Sequence, residues 1–215
     1  MMRFGRIPLA GVLMLLPVML AAGCTVGSGK MTTETRDVTG FDEIVLLGSG
    51  DVIVTVTGTE SLEIDAEDNV LPLLTSDVVD GRLELGVTES ITTTRGITYT
   101  ITAAQLVGVT ISGSGDVSGS DIDSDSFGAA IEGSGHIDLT GTSTDLTVRI
   151  EGSGDFDGRD LVSATGTVTI DGSGDVLVNV TDNLTVTING SGDVEYIGDP
   201  VLNQTINGSG DVSRG

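Results

Sequence analysis

The sequence predicts an all-β chain folded as a right-handed parallel β-helix, a solenoid with coils of about 18–20 residues. The first observation is a repeat: Gly-Ser-Gly, followed by Asp or His, begins at Gly48, Gly113, Gly133, Gly152, Gly172, Gly190 and Gly208, the last six copies at intervals of 18 to 20 residues. The second is what flanks it. Isoleucine stands two residues before each of the last six triplets (Ile111, Ile131, Ile150, Ile170, Ile188, Ile206), and Val117, Ile137, Phe156, Val176, Val194 or Val212 follows the Asp or His. The third is period: Thr165–Ile170 and Thr185–Ile188 alternate apolar with Thr or Asn, as half-buried strands do, and no stretch of the mature chain has a convincing 3.6-residue period. The same spacing also fits one hairpin of an antiparallel β-barrel or sandwich. The β-helix is preferred because equivalent positions of successive coils lie about 4.8 Å apart, so that one residue type builds a ladder. A calcium-binding β-roll would need a Gly-rich, Asp-containing nonapeptide on both halves of each coil, and nine residues after Gly190 the chain reads Asp199-Pro200-Val201.

Taken in order, residues 1–23 read as a signal peptide. Arg3 and Arg6 precede an apolar run from Ile7 to Leu20, and Ala21-Ala22-Gly23-Cys24 closes it with small residues before the only cysteine. This resembles a bacterial lipoprotein signal, although Ala21 stands where leucine is commoner. Cleavage after Gly23 would make Cys24 the lipid attachment site, carrying a diacylglyceryl group and fatty-acyl chains such as palmitate. Two or three chains anchor firmly where one does not. An uncleaved membrane anchor is the alternative, against which stand the shortness of the run and Pro8 and Pro17. Residues 24–36, rich in Gly, Ser and Thr, read as a flexible lipidated tether. Residues 37–215 form the β-helical domain: 37–108 in less regular coils and 109–215 in regular triplet coils. Gly50 and Gly113 lie 63 positions apart, room for about three of the less regular kind.

Within each regular unit the glycines allow a sharp turn, and Asp or Asn can hydrogen-bond a nearby amide to hold the corner. The corner carboxylates would stack about 5 Å apart, and neighbours would repel by about 1 kcal/mol even in water. A cation could relieve that. The simpler reading is that each accepts a backbone hydrogen bond while solvent screens the row, and the residue before the triplet varies in charge (Ser112, Glu132, Glu151, Asp171, Asn189, Asn207), so no fixed chelate recurs.

Charge restricts partners further. Seven basic and 32 acidic residues follow the signal peptide, a net charge of −25. Nucleic acid is excluded as a partner, and anionic headgroups would repel the domain. Cys24 consumed by lipid leaves no disulfide, so stacked aliphatic ladders must supply stability.

The material for catalysis is scarce. A polysaccharide-active site needs paired carboxylates, or calcium with a base, and aromatic platforms. Here there is no Trp, and the mature aromatics are Tyr99, Tyr196, Phe41, Phe127 and Phe156. The sole histidine, His136, reads as a polar corner residue, and the serines lack a positioned base. Sequons at Asn183, Asn189, Asn203 and Asn207 are explained by strand and turn composition. No catalytic residue, cofactor or metal is expected, and ligand contacts would best come from the loops at Asp65–Asp68 and Ser90–Gly96.

Arg36-Asp37-Val38-Thr39-Gly40-Phe41-Asp42-Glu43-Ile44, then Gly48-Ser49-Gly50-Asp51-Val52, Asp80-Gly81-Arg82-Leu83-Glu84-Leu85 and the tail from Gly190 to Gly198 resemble the head GIN domain family of putative auto-transporter adhesins over nearly all of residues 36–215. The resemblance implies a parallel β-helix on bacterial envelope proteins, often lipoproteins, with no established catalytic residues. His136 departs from the family's Asp.

The reading is therefore a non-enzymatic, lipid-anchored module, structural or adhesive, at the outer face of a cell membrane or in the outer envelope. Its alternative is an envelope protein that binds or cleaves polysaccharide. Partners are the membrane through the lipid on Cys24 and an envelope glycan or protein. Only Val212–Gly215 follow the last triplet's Asp211, so the C-terminal coil is also expected to pair with another copy or another envelope protein.

Overall fold

In a computed structural model the described residues are 24–215; the expected signal peptide lies outside them. Strand runs through most of this length because β-branched residues alternate with small polar ones. From the N-terminus come β1 (Thr25–Val26), β2 (Met31–Arg36), β3 (Glu43–Gly48), β4 (Asp51–Val56) and β5 (Ser61–Glu67). A 3-10 turn at Leu71–Leu73 leads to β6 (Leu74–Val79), β7 (Arg82–Val87), β8 (Ile91–Thr92) and β9 (Thr98–Ala103). The regular region holds β10 (Gly108–Gly113), β11 (Asp116–Gly133), β12 (His136–Gly152), β13 (Asp155–Gly172), β14 (Val176–Gly190), β15 (Val194–Ile197), β16 (Val201–Gly208) and β17 (Val212–Arg214).

The regular region is a parallel β-solenoid, as expected. Each long strand starts after one triplet and ends at the next, and it pairs in parallel with its equivalent one coil away. Register follows the sequence repeat. Ile111, Ile131, Ile150, Ile170, Ile188 and Ile206 stand opposite one another, and so do Val117, Ile137, Phe156, Val176, Val194 and Val212. All but the last rung of each ladder are buried. A one-residue slip would turn these side chains outward, so the ladders and the register enforce each other.

The stretch from Gly50 to Gly113 is built differently from the expected three coils. It contributes one parallel coil, with β7 beside β3 and β9 beside β4. Apart from β8, which pairs in parallel with β1, the rest is antiparallel: β6 on β7, β5 on β9, and β2 on β5. Asp80 (φ 51°) and Gly81 (φ 83°) form the tight turn between β6 and β7, a pairing of positive-φ residues that reverses a chain and cannot continue a coil. The excursion therefore folds back over one end of the solenoid. As a result β10 stacks directly on β3 and β11 on β4, with Gly113 opposite Gly48 and Asp116 opposite Asp51. All seven triplets lie in one continuous column.

The flexible tether expected over 24–36 is corrected for most of its length. β1 pairs with β8, and β2 pairs along its whole length with β5. Its Thr-rich sequence suits an edge strand as well as a linker, and the outer rim of β5 supplies the partner.

Candidate functional site

The most regular chemical feature is the corner column. The first glycine of every triplet has φ between +125° and +154°. From the second copy upward, a methyl on either glycine would overlap the carbonyl of the matching glycine one coil below. At Gly48, which has no triplet beneath it, such a methyl would meet nothing. Close stacking thus demands glycine at both places. It also sets the hydrogen bonds: the N–H of Ser114, Ser134, Ser153, Ser173, Ser191 and Ser209 donates to the first glycine carbonyl one coil below at 2.8–2.9 Å.

Acidic residues lock the same column. The N–H groups of Asp175, Asp193 and Asp211 donate to Oδ1 of Asp155, Asp175 and Asp193 respectively at 2.8–2.9 Å, and His136 N–H reaches Asp116 Oδ1 at 3.2 Å. The carboxylates of Asp116, Asp155, Asp175 and Asp193 therefore each accept a backbone hydrogen bond, but from the next coil rather than from their own turn. His136 offers no such acceptor. Asp155 above it bonds through its N–H to the Gly135 carbonyl at 3.0 Å instead. Asn189 and Asn207 extend the pattern, Asn189 donating to Asp171 at 2.7 Å and Asn207 to Asn189 at 3.0 Å. Among the described residues no group of three or more His, Cys, Asp or Glu has metal-binding geometry.

Beside the column runs an open groove of about 400 Å³ whose polar lining includes His136, Asp157, Arg159, Asp175, Glu195 and Ser213. Partial burial pushes the Asp157 carboxyl up, but hydrogen bonds from the Arg159 guanidinium and N–H outweigh this and hold it below the usual carboxylate range. The pair is joined at 2.9 Å. A second shallow groove, of about 750 Å³, lies over Glu43, Gln105, Asp123, Asp125 and Ser126. Neither offers an aromatic platform: Phe41, Phe127, Phe156 and Tyr99 are buried, and Tyr196 is half-buried.

The two loops expected to hold a ligand do meet, but they hold the chain's own N-terminal segment. Glu67, fully buried, accepts at Oε1 from Gly29 N–H and Thr94 Oγ1, both at 2.6 Å, and at Oε2 from Thr94 N–H at 3.0 Å. The Thr94 hydroxyl, then its N–H, the Gly29 N–H and the Arg95 charge, keep its carboxyl below the ordinary glutamate range against the opposing effect of burial. Around it Ser28 Oγ donates to Asp68 at 2.6 Å, Lys30 Nζ pairs with Asp68 at 3.1 Å, and Asn69 donates to the Val26 carbonyl at 2.8 Å. Cys24 is exposed, its sulfur 3.2 Å from the Thr92 hydroxyl. No motif announced this clasp; a lone Glu in an acidic stretch carries no signal until the fold buries it.

Solved structures share the architecture. A putative adhesin from Bacteroides fragilis is similar with a TM-score of 0.69 at 22% identity, over 88% of this chain and 99% of that one. A putative adhesin and a putative lipid binding protein, both from Parabacteroides distasonis, each align with a TM-score of 0.56 over 90% of this chain and 100% of theirs, at 20% and 22% identity. At these identities the likeness is one of fold. No curated protein matches the sequence. The family model described as "Putative auto-transporter adhesin, head GIN domain" matches residues 40–200, and the chain belongs to that family.

Proposed function

We propose that the chain is a non-enzymatic binding module of the bacterial envelope, anchored by lipid on Cys24, that displays the grooves of a rigid solenoid to an envelope glycan or protein. The observation that carries the non-enzymatic part is the use of the corner carboxylates: Asp155, Asp175 and Asp193 each hold a neighbouring coil's N–H. A general acid–base pair needs carboxyls free to exchange protons with substrate, and these are committed to backbone. Adhesion is supported by the family and by a stiff scaffold whose outward side chains recur every coil. Arg159, Asp157 and Glu195 along the groove supply hydrogen-bonding groups of both signs for sugar hydroxyls or a polar peptide. The lipid anchor rests on the sequence around Cys24 and on its exposure.

Self-association at the C-terminal coil belongs to the same reading, because Val201 there is 72% exposed. The deciding experiment is a glycan and envelope-component binding screen with the mature chain, run beside an assay for new reducing ends. Saturable binding without turnover is expected, and turnover would overturn the reading. Mass spectrometry of the membrane-extracted protein is expected to find lipid on Cys24, and Cys24→Ala to leave the protein unlipidated, in a soluble or an uncleaved form.

A further inference from the structure

We propose that the N-terminal end of the solenoid rests directly on the membrane, held there by the clasp of Glu67 on the residues after Cys24, instead of swinging on a tether. The inference deepens the lipid-anchor reading and depends on it. A free linker of about 12 residues would have an end-to-end distance of roughly 20 Å, enough for the domain to take any orientation. Here the slack is gone within one residue of the thiol.

Thr25 N–H donates to the Ser90 carbonyl at 3.0 Å and Gly27 N–H to the Thr92 carbonyl at 2.8 Å. Ser28 N–H reaches Asn69 Oδ1 at 2.8 Å, Gly29 N–H reaches Glu67 at 2.6 Å, and the Lys30 carbonyl accepts from Asp68 N–H at 2.9 Å. Glu67 is the hub, because its carboxylate joins this segment to the Thr94 loop inside the protein. Acyl chains on Cys24 would therefore bring the body of the domain to the lipid surface with them.

Two further observations fit a lipid surface as the occupant. Val26 is 61% exposed and Met31 43%, large apolar side chains left open to the surroundings on either side of the clasp. The chain's negative charge does not forbid contact, since exposed charges beyond about 8 Å are screened at physiological salt and each coil adds about 4.8 Å. Only carboxylates near the clasp matter. Of these, Asp68 pairs with Lys30 and Glu34 with Arg36, and Arg95 adds positive charge near Glu67, while Asp65 and Glu89 accept from the Thr33 and Thr25 hydroxyls and keep their charge, a small local excess that a zwitterionic headgroup surface tolerates. The C-terminal coil, several coils further up, points away.

The chain contains no tryptophan, so a single introduced indole reports its own position. Mature lipidated protein carrying Ser90→Trp, in the loop that receives Thr25, or Val201→Trp, on the last coil, is placed in phosphatidylcholine vesicles with a spin label on the headgroup. Ser90→Trp is expected to be quenched several-fold more than Val201→Trp. Adding Glu67→Ala to the Ser90→Trp protein is expected to remove most of that difference, provided circular dichroism shows the strand signal intact. If Glu67→Ala unfolds the protein, the comparison of the two single variants decides alone. Equal quenching at both positions, with lipid found on Cys24 by mass spectrometry, overturns the clasp and leaves the anchor standing. Absence of lipid on Cys24 overturns both.

Discussion

Asp175 carries a charge that the fold uses as an acceptor. Its Oδ1 receives the Asp193 N–H, and its own N–H donates to Asp155, so these rungs of the corner column are each braced by the carboxylate of the rung below. Asparagine presents the same oxygen without the charge, whereas alanine leaves an amide without its partner. Asp175→Asn is therefore expected to stay within about 0.5 kcal/mol of wild type, and Asp175→Ala to cost about 1 kcal/mol. Ile170 is the contrasting case: fully buried between Ile150 and Ile188, it has no polar neighbour on the ladder to receive a charge. Ile170→Asp should cost several kcal/mol, read from urea midpoints. A larger loss for Asp175→Asn than for Ile170→Asp would mean that the column does something other than brace the backbone. Ser163 offers a test of opposite sign, since its buried hydroxyl has no hydrogen-bond partner among the described residues. Ser163→Ala is expected to be neutral or to raise stability by about 1 kcal/mol, and a clear loss would reveal an unseen partner.

At the level of elements, what could be read from the sequence was whatever repeats. The triplets, the isoleucines and the residue after the corner Asp each recur at fixed spacing, and the structure sets them opposite one another coil by coil. Elements whose position depends on a single event were harder to place. Asp80-Gly81 carries a recognisable hairpin signal, yet nothing local tells that β6 and β5 then lie antiparallel over the solenoid end, or that β10 returns to stack on β3. The N-terminal segment reads as a linker because Gly, Ser and Thr serve both linkers and edge strands. Its fastening depends on Glu67, and this makes it sensitive to acid. The folded carboxyl titrates below its unfolded value, so its contribution is present above the unfolded pKa of about 4.3 and is lost as pH falls through the lower folded value. Asp68 beside it is likewise held low, by the Ser28 hydroxyl and Lys30, so its contribution is lost in the same direction as pH falls. Protection factors of the amides at residues 25–30, taken against the intrinsic exchange rate at each pH, are expected to fall below about pH 4 while those of β12 and β13 stay high. In Glu67→Gln the protection of residues 25–30 should already be low at neutral pH. Protection factors at residues 25–30 that do not change with pH in the wild type would show that Glu67 does not hold the segment.

For the molecule as a whole, a stack of near-identical coils gains stability from each interface between neighbours, so its ends and its middle differ. One end is closed by β2, β5 and β6, whose antiparallel pairing buries Leu62, Ile64 and Leu74 beneath the first coils. At the other end Leu202, Ile206 and Val212 are only partly buried, although they continue ladders whose inner rungs are fully covered. The apolar area removed from water per coil is therefore smallest there, and opening β16 and β17 breaks contacts on one side only. Unfolding is expected to begin at this end and move inward. Hydrogen exchange should give protection that rises from β17 and β16 through β14 to β13 and β12, with Ile206→Asp costing clearly less than Ile170→Asp at an equivalent rung. A ligand or second copy bound over the last coil would supply the missing side of that interface and raise protection there first. Equal protection in every coil, with Ile206→Asp as damaging as Ile170→Asp, would mean that the domain unfolds as one cooperative unit and that its exposed end has no separate stability for a partner to tune.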